Sequence, residues 1–356
     1  MSRFLRGRGD AALVTVRTRV IPPTSKTGER MIDLRTSCLR VSLDLDRGAE
    51  LTHLGPGADD NVLAYYDWEA PLPTGRSTTY GNDHQDWLSS YRGGWQELFP
   101  NAGFGCQVDG VPLPFHGEVS LARWEIVDRS PAAITVRCPS RLPLVLERRI
   151  DLAADQPTMR IEETVTNVSD EPVAFRWGHH PAYESPPGTA IDLPDGLSVE
   201  VGQAADDAPD LPPAGFRGTW PDAVAVSGAP VDLSVVPDGP VAQICYLRGG
   251  ANWYAVRPPT APGVALAWDA ETFPTLWFWQ QIGGRGFPTY GRARITAIEP
   301  QSSSPGDGLA AAIDRGEALT LAPRGTRETW LTATLLPAGC GAVTGVDRDG
   351  LVSMES

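Results

Sequence analysis

Lysine is nearly missing from this chain: Lys26 is the only one, and every other basic side chain among the 30 Lys and Arg is an arginine. A Schiff-base mechanism would have to use that one residue, in a polar N-terminal stretch, which argues against covalent lysine chemistry. Positive charge is short altogether. The 30 basic residues face 44 acidic ones, for a net charge of −14, and an acidic surface argues against nucleic acid phosphate as a partner. Long apolar runs are missing too. No stretch approaches the ~18 residues of a membrane span. The first twenty residues hold arginines but no apolar core of a signal peptide, so none is expected. The five cysteines (Cys38, Cys106, Cys138, Cys245, Cys340) are scattered, odd in number and without C-x-x-C spacing. That excludes a disulfide frame and a zinc knuckle and fits a reducing, cytoplasmic location. No phosphate loop, G-x-G-x-x-G, G-x-S-x-G or H-E-x-x-H occurs.

What is present has a period of two. Leu39–Leu45, Ile134–Cys138, Arg160–Thr166, Val173–Trp177, Leu276–Trp279 and Thr329–Leu335 alternate apolar and polar residues. Each is short, rich in β-branched or aromatic side chains and bounded by turn formers. The 37 glycines and 33 prolines break the chain often without reaching a disordered composition. Helical periodicity is almost absent; Gly308–Ile313 could make one turn. The fold expected is all-β with very little helix, a sandwich or a barrel. The pattern divides the chain into an N-terminal segment (1–34), a single strand-rich domain (35–336) and a C-terminal tail (337–356). The Pro-, Gly- and Asp-rich stretch 185–240 reads as long loops over that one domain.

Five histidines hold most of the titratable chemistry. His53 lies in a strand-like stretch and reads as structural; His84 lies in a polar segment that reads as a solvated loop, with reach into a cleft as the alternative. His116 is clamped between Phe115 and Gly117, a constrained backbone suited to aiming a donor. His179 and His180 end the strand that begins at Val173. Alternation puts His179 on the apolar face of Val173, Phe175 and Trp177, and His180 on the face of Arg176 and Gly178. His180 therefore reads as a site residue and His179 as a candidate core histidine. Their adjacency makes joint metal ligation awkward. Glu299 continues the apolar face of Ile295 and Ala297, where burial raises a carboxyl toward the range of a general base. Trp277 and Trp279 alternate on one strand beside Gln280 and Gln281. Such a group can be core, or it can hold a sugar, with an aromatic face against C–H groups and amides against hydroxyls.

Taken in order, Gly93-Gly94-Trp95-Gln96-Glu97-Leu98-Phe99-Pro100-Asn101-Ala102-Gly103, His116-Gly117-Glu118, Gly178-His179-His180-Pro181-Ala182-Tyr183 and Ala297-Ile298-Glu299-Pro300 resemble the aldose 1-epimerase (galactose mutarotase-like) family. The stretch Gly48–Leu54 resembles that family's early strand. The resemblance covers roughly residues 35–335, and Gly93–Gly103 is closer to a divergent branch than to the galactose mutarotases. It implies a large antiparallel β-sandwich, a supersandwich, in one domain, and a cofactor-free, metal-free isomerase that interconverts the anomers of a small-molecule sugar. By motif, Glu299 is the base, His180 the acid and His116 a donor to the ring oxygen or a hydroxyl. Asn101, Arg176, Trp279, Gln280, Asp269 and His179 are the expected substrate contacts. The family arginine expected before Asn101 is missing, which leaves two readings open: Arg176 substitutes for it, or the substrate differs. Three alternatives stay open: a hexose-6-phosphate mutarotase using Arg92, Arg176, Arg285 and Arg292, a non-catalytic carbohydrate-binding protein, and isomerase or lyase chemistry on an oxidised sugar.

Overall fold

The computed structural model describes residues 31–66, 81–204 and 209–355. Among them are 26 strands and two short helices, and the strand pairs are antiparallel. One sheet has ten strands. From one edge it runs Met31–Arg35, Arg40–Asp44, Glu50–Gly55, Trp95–Leu98, Gly178–Glu184, Arg294–Gln301, Thr275–Ile282, Val241–Arg248, Ser198–Ala204 and Arg217–Thr219. The second has eight, with Thr326–Leu336, Thr158–Asn167 and Leu144–Leu152 at its centre. The two pack as a β-sandwich. Their facing sides share one apolar core, to which Val41, Leu51 and Phe278 come from the larger sheet and Leu146, Ile161 and Leu331 from the smaller.

The strand Leu144–Leu152 makes the logic of the alternation visible. Leu144, Leu146, Arg148, Ile150 and Leu152 point inward, and the residues between them are half-buried. Arg148 is the exception among the apolar residues: an arginine at a core position. Its cross-strand neighbour in Thr158–Asn167 is Glu163, so the charge enters the core already paired.

Two sequence-based expectations need correction. A helix, Asp83–Ser90, lies where a polar loop was expected. Asn82 caps it, with the Asn82 side-chain oxygen accepting from the Gln85 N–H at 3.1 Å, and Gln85 at the third position completes a capping-box-like start. The expected single turn near Gly308 is the second helix, Leu309–Asp314. The strand from Val173 is also not continuous. Val173–Phe175 pairs with Leu319–Leu321 in a separate two-stranded sheet, and the chain joins the large sheet only at Gly178. Alternation therefore cannot be carried from Arg176 to His180.

The strand Met31–Arg35 begins inside the stretch assigned to the N-terminal segment. In the stretch assigned to the tail, Val343–Val346 and Val352–Met354 form a hairpin whose Val343 and Val346 pack on Ala255, Ala265 and Leu336. No helix among the described residues is long and apolar enough to cross a membrane.

Candidate active site

Strand register builds the site. Gly178–Glu184 lies between Trp95–Leu98 and Arg294–Gln301, with His180 opposite Gln96 and Ala182 opposite Ala297. One strand further, Trp277 faces Glu299 and Trp279 faces Ala297. Neighbouring residues of a strand point to opposite faces. His179 consequently points between the sheets, where it meets Glu163 of the other sheet. His180, Glu299, Trp277 and Trp279 share the outer face, and together with Trp87 of the Asp83–Ser90 helix they line a cavity of about 400 Å³.

At its floor His180 Nε2 stands 3.5 Å from Glu299 Oε1, and both side chains are buried. Gln301 Nε2 donates to the other carboxylate oxygen, Glu299 Oε2, at 3.2 Å. Gly178 makes that possible: a Cβ there would sit 1.9 Å from Gln301 Oε1, so the room left by the glycine is filled by the amide that orients Glu299. Burial pushes the Glu299 carboxyl well above its ordinary value, against the opposing donation from Gln301. Burial likewise pulls the His180 imidazole down to about 4. Both shifts favour uncharged forms, with the proton on Glu299. The ion pair, with that proton on His180, has the same net charge. The two groups thus hold one proton between them. His180 Nδ1 faces only the residue's own backbone and has no hydrogen bond of ordinary geometry.

His116 has a fixed tautomer. The Gly103 N–H donates to its Nδ1 at 3.1 Å, so Nδ1 must carry a lone pair and the ring proton resides on Nε2. Burial lowers its pKa well below the ordinary value, with His180 adding to the effect, so the ring stays neutral. His116 itself has φ +61, a left-handed conformation that costs a non-glycine residue roughly 1–2 kcal/mol. Gly103 has φ +86 and lies so close to Gly306 that a Cβ would be 2.1 Å from the Gly306 carbonyl oxygen. These two backbone positions hold an N–H donor at the cavity wall. Aromatic rings enclose the imidazoles: Trp87 lies 4.7 Å from His116 and 5.6 Å from His180, and Trp279 lies 5.6 Å from His180.

Glu299, His180, His116 and Trp279 from the sequence set therefore meet in one cavity. The others do not line it. Arg176 is fully buried, and its guanidinium donates to the Ser303, Pro305 and Gly308 carbonyls at 2.8, 2.9 and 3.2 Å and to Asp307 at 3.3 Å. It holds the loop after Glu299 with both Nη groups, and its Nε is buried without a partner. Asn101 donates to the Phe104 and Pro114 carbonyls and accepts from the Leu309 N–H, which ties three loops together. Gln280 lies on the opposite face from Trp279 and accepts from Gln243 at 2.8 Å. Asp269 caps a turn, accepting from Thr272 and Thr329 hydroxyls at 2.6 and 3.2 Å. Arg92, Arg285 and Arg292 are also outside the cavity lining.

His179 belongs to a second cluster, in the core. Its Nε2 lies 3.1 Å from Glu163 Oε2 and its Nδ1 accepts from Trp95 Nε1 at 3.2 Å. Arg148 donates to Glu163 at 3.0 Å, to Glu97 and to the Ala49 carbonyl, and Trp177 donates to Glu97. Ligand atoms of Glu97, Glu163 and His179 come within 4.8 Å of one another, a spacing a metal ion could bridge. The positive charge at this point is already supplied by the Arg148 guanidinium, which Trp124 covers at 4.7 Å. Burial and Glu163 raise the Glu97 carboxyl. For Glu163 burial also raises, but His179 and Arg148 outweigh it and hold the carboxylate ionised. Burial lowers His179 and its two glutamates raise it. The net shift of His179 is upward, and the Trp95 N–H directed at Nδ1 leaves Nε2 as the nitrogen that donates to Glu163.

Sequence reasoning missed Trp87, Phe104 and Phe115 on the cavity wall and Gln301 behind Glu299. The capping pattern from Asn82 to Gln85 was the one local signal for the helix that carries Trp87.

No protein-family model and no curated protein sequence matches the chain. Solved structures do. A galactose mutarotase related enzyme from Lactobacillus acidophilus superposes with a TM-score of 0.57 at 19% identity, over 86% of this chain and 98% of that one. A galactose mutarotase-like protein from Lactobacillus casei gives 0.54 at 18%, over 86% and 99%. A candidate aldose 1-epimerase from Escherichia coli K12 gives 0.58 at 15%, over 86% and 98%. The chain thus has the galactose mutarotase-like fold over most of its length, in a sequence that has diverged far from these structures.

Proposed function

We propose that this protein is an aldose 1-epimerase-like isomerase acting on uncharged sugars. One observation carries the reading: a histidine and a glutamate, each buried, 3.5 Å apart at the floor of an aromatic-walled cavity. Opening a cyclic hemiacetal needs a base at the anomeric hydroxyl and an acid at the ring oxygen. Both oxygens hang from the same carbon, so two groups this close can serve both.

In the reactive arrangement Glu299 is ionised and His180 protonated. Glu299 takes the anomeric O–H proton while His180 gives its proton to the ring oxygen. The C1–ring oxygen bond breaks and a C1 carbonyl forms. Rotation about C1–C2 turns the other carbonyl face to the hydroxyl at the former ring position, and closure runs with the roles exchanged. The proton moves within the pair and the net charge never changes, so the low-dielectric pocket opposes no step by creating net charge. The Nε2–H of His116 supplies a fixed donor to the ring oxygen or a neighbouring hydroxyl. Trp87 and Trp279 offer faces to the sugar's C–H groups.

The lining favours an uncharged substrate. Among the described residues it contains no arginine or lysine, whereas a phosphate or sugar acid would need a cationic or bidentate partner. The retained acid–base pair favours an enzyme over a passive binder. Exchange NMR on free aldoses tests this. Cross-peaks between α and β anomeric protons should grow faster than the spontaneous rate, and Glu299→Gln should abolish the excess. If no aldose responds to the wild-type protein, the reading fails.

A further inference from the structure

Tyr91 immediately follows the Asp83–Ser90 helix, and aromatic rings hold it from three sides. It stacks on Trp87 at 4.7 Å and meets His180 and Trp279 edge-on at 5.4 and 5.9 Å. Its hydroxyl is the anomaly: buried, with no hydrogen-bond partner among the described residues. Burying an O–H without an acceptor destabilises a fold, and a phenylalanine would pack between the same rings without that loss. Strand register shows what lies beneath. Gln96 is opposite His180 and donates to Glu50 at 2.9 Å, and on its other side His180 stands 3.5 Å from Glu299. Glu50, Gln96, His180 and Glu299 thus form one row across four neighbouring strands, and Tyr91 packs on His180 within it. Burial pushes the Tyr91 hydroxyl well above its ordinary value, and Glu299, Tyr66 and Glu50 each add to the push. The carboxyls at both ends of the row therefore act on this one oxygen.

Glu299 has one formed hydrogen bond, from Gln301 to Oε2. When it ionises inside an aromatic-walled pocket, a second donor counts for most. Resting on the isomerase reading, we propose that Tyr91 is a positioning residue whose unpaired O–H donates to Glu299 when that carboxyl gives up its proton. The phenol keeps its own proton throughout, since burial holds it protonated. With Glu299 protonated the hydroxyl has no charged acceptor; with Glu299 ionised it has one. Tyr91 therefore favours the ion-pair form of Glu299 and His180 over the neutral form, and it is the ion pair that opens the ring.

Tyr91→Phe tests this, because it removes one oxygen and leaves the ring packing in place. Anomeric exchange NMR on the full chain should show kcat lowered about tenfold, the value of a hydrogen bond to a charged group, with KM little changed. The alkaline limb of the pH–rate profile should move to higher pH, because the pair then loses its last proton less readily. Thermal unfolding should give a Tm no lower than wild type. A second readout needs no turnover. The infrared C=O stretch of protonated Glu299, identified by its loss in Glu299→Gln, should persist to higher pH in Tyr91→Phe. Catalysed exchange unchanged in rate and profile, or a lowered rate that comes with a lowered Tm and an unmoved carboxyl titration, overturns the assignment and leaves the isomerase reading standing. A shifted carboxyl titration with no exchange of any aldose overturns the isomerase reading and supports the link from Tyr91 to Glu299. Neither shift nor exchange overturns both.

Discussion

His179 and His180 are consecutive, comparably buried at 1% and 4% exposure, and each lies beside a glutamate. They are nevertheless opposite kinds of residue. His179 has both ring nitrogens engaged, and its neighbours Glu97, Glu163 and Arg148 satisfy one another in the dry space between the sheets. His180 faces a cavity, has an unsatisfied nitrogen, and stands near Glu299 without a formed hydrogen bond. Burial and a nearby carboxylate do not distinguish a site from a core network. Position on an open cavity does: His180 and Glu299 line one, and the His179 cluster does not. A closed network fixes the packing of two sheets, while an open pair keeps its proton available.

The contrast can be broken at either end. The largest effect is expected at Glu299→Gln, which should lower catalysed anomer exchange by about 10²- to 10⁴-fold while the unfolding transition stays cooperative. A core defect would instead reduce rate and folded fraction together. Next is Arg148→Met. Removing the cation leaves Glu97 and Glu163 facing each other in the core, and urea unfolding should show a loss of about 3–5 kcal/mol, with the exchange rate per folded molecule retained.

The third prediction uses pH. Between 4.5 and 6.5, the ordinary values for glutamate and histidine, the unfolded pair holds one proton, on histidine. The folded pair also holds one, on Glu299, because His180 is lowered to about 4. Equal proton counts give no slope of stability with pH from this pair. Glu299→Gln removes the compensation. The unfolded variant then takes up a proton below pH 6.5 that folded His180 refuses until about 4, so the variant should lose about 3 kcal/mol relative to wild type as pH falls through that window. Above pH 6.5 the sign reverses: wild type, whose raised Glu299 keeps its proton when folded, loses stability as pH rises and the variant does not. Parallel stability curves for the two proteins would refute the opposed shifts. The smallest effect is expected at His179→Leu, which strands the Trp95 N–H and one side of Glu163. Unfolding should show a cost of about 1–3 kcal/mol, with no change in the shape of the pH–rate profile. A changed profile would join the two clusters that the geometry separates.

Much of this was legible in the chain. Period-two alternation carries the all-β class, because a strand's two faces must meet different surroundings whatever it pairs with. The same alternation separates His179 from His180, and a carboxylate continuing the apolar face of Ile295 and Ala297 marks Glu299. His116 was readable from its neighbours, since Phe115 and Gly117 signal a constrained turn. The expected contacts that lie away from the cavity are those where a polar side chain had more than one use. Asn101 and Arg176 have the right chemistry for a sugar hydroxyl, yet the Leu309 amide and the Ser303–Gly308 loop claim them. Those partners lie more than a hundred residues away in sequence. Trp87 escaped because its helix is short and polar, and its single buried face is defined by what it covers.

Local chemistry along the chain, its one lysine, its alternation and its few histidines, was enough to name the all-β class and the titratable residues that meet in the cavity. Which of them have hydrogen bonds to spare is a property of the folded protein. Each donor and acceptor is a finite resource, and its allocation between loops, core network and cavity depends on distances that exist only after distant strands have paired.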